Sequence, residues 1–253
     1  MKVKNYLVLK NYNITDQFFV FNQMDKVRER YVQMQNIMME SAQLFLKDLD
    51  AIIIDRDTVP HDQYMFKHHM QLIDDRYHSE PCNILYCDLD VLFVRPVEIF
   101  GKFDQFSMLS HQCGIRYYPH GGVPEEVWEI QRSGMQNWDE TLGPENGFHN
   151  DDLYKWDREQ DIYASMMGHV MDASDEALEQ AEEFSRYIHT VYNDFPEHDI
   201  AAMVHYNGTG QLFDPVDLGH RLLNLAKMGN YQAIRRTLNR ELYRVWTPRS
   251  HEE

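Results

Sequence analysis

The 253-residue chain is 43% hydrophobic and 26% charged, a composition that supports a buried core and excludes an intrinsically disordered chain. Its formal net charge of −17 sets most of its surface against a duplex phosphate backbone, which argues against nucleic acid as a general partner. No run approaches the roughly 20 apolar residues of a membrane span, and the opening MKVKNYLVLKNYN is too polar for a signal peptide, so a cytoplasmic protein is expected. The three cysteines, Cys82, Cys87 and Cys113, are odd in number and lack a Cys-x-x-Cys spacing; they read as reduced, buried thiols.

In chain order, Tyr6-Leu7-Val8-Leu9 and Phe18-Phe19-Val20-Phe21 read as a first buried strand or a pair. From about residue 25 to 46 a helix is expected, because Val27, Tyr31, Met34 and Met38 recur at helical spacing. Ala51-Ile52-Ile53-Ile54, stopped by Asp55-Arg56-Asp57 and Pro60, has the β-branched content of a short parallel strand. A second helix carries Phe66, Met70, Ile73 and Tyr77 on one stripe, and Asn83 to Cys87 forms another apolar strand that ends in Asp88-Leu89-Asp90. This β-α-β-α-β order predicts an α/β fold with a mostly parallel central sheet flanked by helices, and such sheets bind ligands outside the carboxyl ends of their strands. Residues 120–158 are rich in Gly, Pro, Trp and acids with little periodicity, and read as an irregular functional loop ordered by Trp128, Trp138 and Trp156. An acidic amphipathic helix is expected over 174–190, then a short strand, Ala201 to Val204, ending at His205. Beyond Pro215 the pattern is two short helices split near Gly229-Asn230. Residues 216–253 hold seven Lys or Arg against four Asp or Glu, a basic appendix on an acidic body.

The chemistry-bearing feature is Asp88-Leu89-Asp90 at a strand end. In extended chain, residues two apart point to the same side, so both carboxylates can converge on one point. Two converging carboxylates repel unless a cation sits between them, and oxygen ligands suit Mg²⁺ or Mn²⁺, either of which can grip a diphosphate. The bland reading is an acidic strand end that caps the following loop.

The stretch ILYCDLDVLF (Ile84 to Phe93), with Arg95-Pro96 after it, resembles the hydrophobic D-x-D segment of nucleotide-sugar transferases of the GT-A fold. His205-Tyr206-Asn207-Gly208 resembles the H-x-x-G segment of the retaining glycogenin and lipopolysaccharide galactosyltransferase family, whose histidine is the third protein ligand of Mn²⁺. Glu159-Gln160-Asp161-Ile162 is similar to that family's D-Q-D-I-L-N stretch, with Glu for the first Asp and Tyr-Ala for the closing Leu-Asn; Gln112-Cys113-Gly114-Ile115 sits where the family has N-A-G-V.

The resemblance implies a GT-A-like catalytic domain over residues 1–215 with the basic helical extension 216–253 packed on it. It implies a metal site of Asp88, Asp90 and His205 for Mn²⁺ (or Mg²⁺), catalytic roles for Glu159 and Gln160, and substrate contacts from Lys67, Gln112, Asp161 and Gly208. The implied reaction moves a sugar, with retention, from a nucleotide-diphosphate donor to a glycan, lipid or protein acceptor. Trp128, Trp138, Trp156, Tyr117 and Tyr118 are candidates for stacking on sugar faces, or simply pack the loop. Arg235, Arg236, Arg240 and Arg244 recur at near-helical spacing and suit either a weak contact with a membrane surface or acidic partner, or a solvated helix face. Two alternatives remain. One is a haloacid-dehalogenase-like phosphatase with Asp88 as nucleophile and Asp90 as acid, against which the late motif and Val91-Leu92 in place of a threonine count. The other is a catalytically inactive nucleotide-sugar-binding protein.

Overall fold

The computed structural model describes residues 2–10, 24–55, 65–108, 114–141, 162–170, 172, 174–190, 201–206 and 215–246. In chain order the elements are β1 (Lys4–Lys10), α1 (Met24–Phe45), β2 (Ala51–Ile54), α2 (Met65–Ser79), β3 (Cys82–Asp88), β4 (Val91–Phe93), β5 (Ser107–Met108) and β6 (Ile115–Tyr118). There follow α3 (Glu125–Thr141), a helical stretch at 162–170, α4 (Asp175–Ser185), β7 (Ile188–Thr190), β8 (Met203–His205), α5 (Pro215–Lys227) and α6 (Tyr231–Trp246).

Strand alternation decides the layers. In β1, Leu7 and Leu9 join one buried cluster and Tyr6 and Val8 the other; in β3, Leu85 and Cys87 join the first, Ile84 and Tyr86 the second. A strand buried on both faces is nearly continuous apolar sequence, and β3 is buried until Asp88, with the polar Asn83 hydrogen-bonded to Asn5 and to the His120 N–H. The central sheet has the order β2-β1-β3-β6-β5. β1 pairs in parallel with β2 and β3, and β6 pairs antiparallel with both β3 and β5, so four of the five strands point one way and β6 opposes them.

On the first face lie α1 (Met34, Ile37, Met38, Ala42), α5 (Leu218, Leu222, Leu223, Ala226) and α6 (Ile234, Leu238). On the second lie α2 (Met70, Ile73), α3 (Val127, Trp128, Met135) and the 162–170 stretch (Ile162, Tyr163, Met166, Val170). Each side chain of this size taken out of water contributes about 1.5–3 kcal/mol. The helices of the basic appendix therefore share the core of the α/β body. They part where expected: Gly229 takes φ 65, its N–H meets the Ala226 carbonyl at 2.9 Å, and the Asn230 N–H meets that of Leu225 at 2.9 Å, a left-handed helix stop that glycine allows without strain.

Three expectations need correction. The segment 120–158 is not irregular throughout, because residues from Glu125 to Thr141 form α3. Pro124 precedes it, Glu125 and Glu126 suit the positive end of the helix dipole, and Val127, Trp128, Gln131 and Met135 form one buried stripe. Trp128 stacks on Tyr118 in the core (ring centroids 5.5 Å apart), and Tyr117 is equally buried, so none of the three can lie on a sugar; the side chains of Trp138 and Trp156 are outside the described residues. The acidic helix expected over 174–190 stops at Ser185: Ser174 Oγ accepts from the Ala177 N–H to start it, and Ile188 to Thr190 leaves it for a strand beside β8. The Phe18 to Phe21 strand falls outside the described residues.

Cys82 and Cys87 are free and buried; burial pushes the Cys82 thiol up to about 11 and Cys87 well above its ordinary range, so both stay protonated. Cys113 is outside the described residues. No helix among the described residues is long and apolar enough to cross a membrane.

At the edge of the sheet where β1 and β3 begin, Glu80 collects Lys4 (2.6 Å), Arg76 (2.9 Å) and the Tyr6 hydroxyl (2.8 Å). Its bonds with Lys4, then Arg76 and Tyr6, hold its carboxyl at about 2, below the ordinary 4.5. A carboxyl depressed on folding stabilises the fold above its unfolded pKa, and that contribution disappears as pH falls through the folded value. Urea melts of wild type and Glu80→Gln should therefore differ at neutral pH and converge between pH 4.5 and about 2; a gap independent of pH would refute the role of the ion cluster.

Candidate metal centre

β3 ends at Asp88, and the chain turns through Leu89 and Asp90 into β4. Leu89 is buried in the first cluster, which anchors the turn between the two carboxylates. Here the turn, rather than extended-strand alternation, aims the pair. β4 then pairs antiparallel with β8, setting Val91 opposite His205, and the Tyr206 N–H donates to the Asp90 carbonyl at 2.9 Å. The β4–β8 ladder, continued by that bond, thus brings a histidine from far along the chain onto the acidic turn.

One ligand atom from each of Asp88, Asp90 and His205 lies within 4.8 Å of the others. His205 Nε2 is 3.2 Å from Asp90 Oδ1, and the two residues are 7% and 6% exposed. Burial pulls the His205 imidazole down, yet Asp90 and then Asp88 outweigh it and raise its affinity for a proton. A proton on His205 and a metal ion are alternative ways of neutralising the same buried negative charge. Across from the cluster on α1, Tyr31 is pushed up to about 12 by burial and by Asp90 and Asp88. Lys10, the ladder partner of Asp88 on β1, is buried at the same end of the sheet.

The residues fit a divalent cation. Among the described residues His205 Nδ1 is buried without a hydrogen-bond partner and Asp90 Oδ1 makes none beyond its ion pair with His205, and two carboxylates with an imidazole are a donor set suited to Mn²⁺. The space beside Asp88 and His205 is kept open by Gly114, whose carbonyl accepts from the Asp88 N–H at 2.8 Å. A Cβ at Gly114 would stand 3.0 Å from Asp88 Oδ2 and 3.2 Å from His205 Nε2, between the two ligand atoms.

Asp88, Asp90 and His205 are thus brought together as expected. Lys67 belongs to α2, but its side chain is outside the described residues, as are Gln112, Glu159, Gln160, Asp161 and Gly208 altogether. Sequence reasoning passed over Gly114, Tyr31, Lys10 and Tyr86. Gly114 stood in the quoted segment and drew attention only through its neighbour Gln112. Tyr86 carried a usable signal, since two residues before Asp88 on a strand means the same face.

Neither a family model nor a curated protein matches the sequence. Among solved structures, the chain is similar to the apo-form glycosyltransferase GlyE of Streptococcus pneumoniae TIGR4, with a TM-score of 0.46 and 11% identity. The match covers 100% of this chain and 66% of that one, so the chain spans just under two thirds of its length. A likeness at this identity and TM-score assigns neither a family nor an activity.

Gly114→Ala should weaken Mn²⁺ binding about 10-fold or more in calorimetric titration, while the fold without metal melts as wild type does. Unchanged affinity would show that the ligands do not close on the space beside Gly114. The Tyr206 hydroxyl is buried without a hydrogen-bond partner among the described residues, and a Cβ at Gly219 on α5 would stand 2.9 Å from it. Tyr206→Phe should accordingly leave stability in denaturant unchanged or raise it, by up to about 1–3 kcal/mol, because removing an unpaired hydroxyl removes its desolvation cost.

Proposed function

We propose that the chain is a metal-dependent glycosyltransferase of GT-A type that takes its sugar from a nucleotide-diphosphate donor. The observation that carries this reading is the closure of His205 onto Asp88 and Asp90 at the carboxyl end of β3. That edge is where α/β sheets with this strand direction bind ligands, and a buried acidic pocket has no affinity for a diphosphate by itself. Asp88, Asp90 and His205 would hold Mn²⁺ (or Mg²⁺) there. A divalent ion so held supplies Lewis-acid neutralisation of the charge that gathers on a departing nucleoside diphosphate.

The protein's own part is to orient and to exclude water. β4 and β8 hold Asp90 and His205 in register, Gly114 leaves the approach open, and Leu89 and the first core cluster close the side away from solvent. Glu159 and Gln160 are proposed to face the anomeric carbon and stabilise its positive charge with retention of configuration, and Lys67, Gln112, Asp161 and Gly208 to contact the donor. The acceptor is a glycan, lipid or protein. Arg235, Arg236 and Arg240 are exposed on α6 and suit a weak contact with an anionic surface.

The test is a thermal-shift panel of UDP, GDP, CDP, ADP and phosphate, each with and without Mn²⁺, on wild type and Asp90→Ala. One nucleoside diphosphate should stabilise the protein by about 2.7 kcal/mol at 100 times its Kd, only with Mn²⁺ and not in the variant. A response to phosphate and Mg²⁺ with none to nucleotides would replace this reading with the phosphatase. Nucleotide binding without sugar transfer or donor hydrolysis would leave a binding protein. Retention is tested separately, by the anomeric proton signals of the product.

A further inference from the structure

Behind the carboxylate turn, on the second face of the sheet, lies a buried polar cluster for which the acidic turn itself has no need. Tyr86 and Arg116 sit directly opposite each other on the antiparallel β3 and β6 ladder. The Arg116 guanidinium, 0% exposed, lies 3.9 Å from the centre of the Tyr86 ring and 4.1 Å from that of Tyr163. His69 on α2 stacks against Tyr86 at 5.0 Å and meets the Tyr163 hydroxyl through Nε2 at 2.8 Å. A phenol packed against a guanidinium and an imidazole has one ring orientation available to it. In that orientation its hydroxyl donates to Asp88 Oδ1 at 2.5 Å.

The consequence falls on the other oxygen. With Oδ1 engaged by Tyr86, Asp88 Oδ2 is the oxygen turned toward Gly114 and His205, the side on which the three candidate ligands gather. Asp88 is the most exposed of the three, so it is the one whose carboxylate would otherwise rotate with solvent. We propose that Tyr86 is a positioning residue for the metal centre: held by Arg116 and His69, it locks the Asp88 carboxylate so that Oδ2 is presented to the cation. The inference rests on the metal reading above and deepens it. A donor to the non-ligating oxygen of a metal-binding carboxylate both orients the ligand and limits it to one lone-pair direction.

The cluster also bears on the neighbouring segments. Tyr163 lies in the first turn of the helical stretch at 162–170 and His69 on α2, so through their hydrogen bond and the Arg116–Tyr163 contact these two elements meet at the cluster.

Tyr86→Phe keeps the ring and its packing and removes only the hydroxyl. In calorimetric titrations with Mn²⁺ alone, wild type should bind, and Tyr86→Phe should bind roughly 10- to 100-fold more weakly. Without metal the variant should still fold cooperatively, its urea midpoint lowered by no more than the loss of one hydrogen bond to a carboxylate. Equal Mn²⁺ affinity in the two proteins overturns the positioning role while leaving the metal reading intact. Absence of binding to wild type overturns the metal reading, and this inference with it. A double-mutant cycle with Asp88→Asn guards against a general packing defect. If the Tyr86→Phe effect on affinity disappears once Asp88 is Asn, Tyr86 acts through that carboxylate; if the two losses simply add, it does not.

Discussion

The three-residue pairing of β4 with β8 is the constraint on which the candidate centre depends. Val91 opposite His205 is one register position, and it alone decides that an imidazole, rather than a neighbouring apolar side chain, meets the acidic turn. A one-residue slip would turn His205 to the other face and bring Val204 in its place. The ladder is short and buried on both faces, since Val91, Leu92, Phe93, Met203 and Val204 all belong to the first core cluster, so its register is held by the packing of each side chain and not by an apolar-in, polar-out alternation.

The architecture around that ladder explains why a charged cluster can be sustained next to a core. Asp90 and His205 are nearly as buried as the leucines beside them, and a lone charge in such a place is costly. Carboxylate and imidazole offset each other at 3.2 Å, and a cation would complete the balance. On the far side of the sheet Arg116 is equally buried, placed among tyrosine rings rather than in water. The sheet thus carries negative charge at its carboxyl edge and a buried positive group just behind it, linked by Tyr86, whose ring lies against Arg116 and whose hydroxyl donates to Asp88.

The C-terminal helices combine two characters. Their apolar stripe is part of the core that covers β1, β3 and β4, while exposed arginines line α6. Lys227 reaches Glu40 on α1, and Arg95 lies over the Tyr231 ring at 4.2 Å, so the junction with the body is both apolar and ionic. The basic appendix is integral to the fold's packing, whatever its arginines meet in solution.

Much of this was legible in the chain alone. Apolar runs such as Tyr6 to Leu9 and Ile84 to Cys87, short and bounded by polar residues, fit strands buried on both faces, and the stripes of α1, α2 and α5 follow from 3.6-residue periodicity, because both are local consequences of backbone geometry. The acidic pair at the end of β3 was visible for the same reason. The helix α3 was not, because its polar and acidic residues outnumber the apolar ones and only Val127, Trp128 and Met135 mark the buried side. Nor could the sequence assign Gly114 or Arg116 to the centre, since their places come from which strands are neighbours, whereas Tyr86 was legible only as sharing a strand face with Asp88. Composition and periodicity determined the layers and the strand ends; the order of the strands and the register of β4 against β8 decided which side chains meet there, because those are set by burial summed over the whole core.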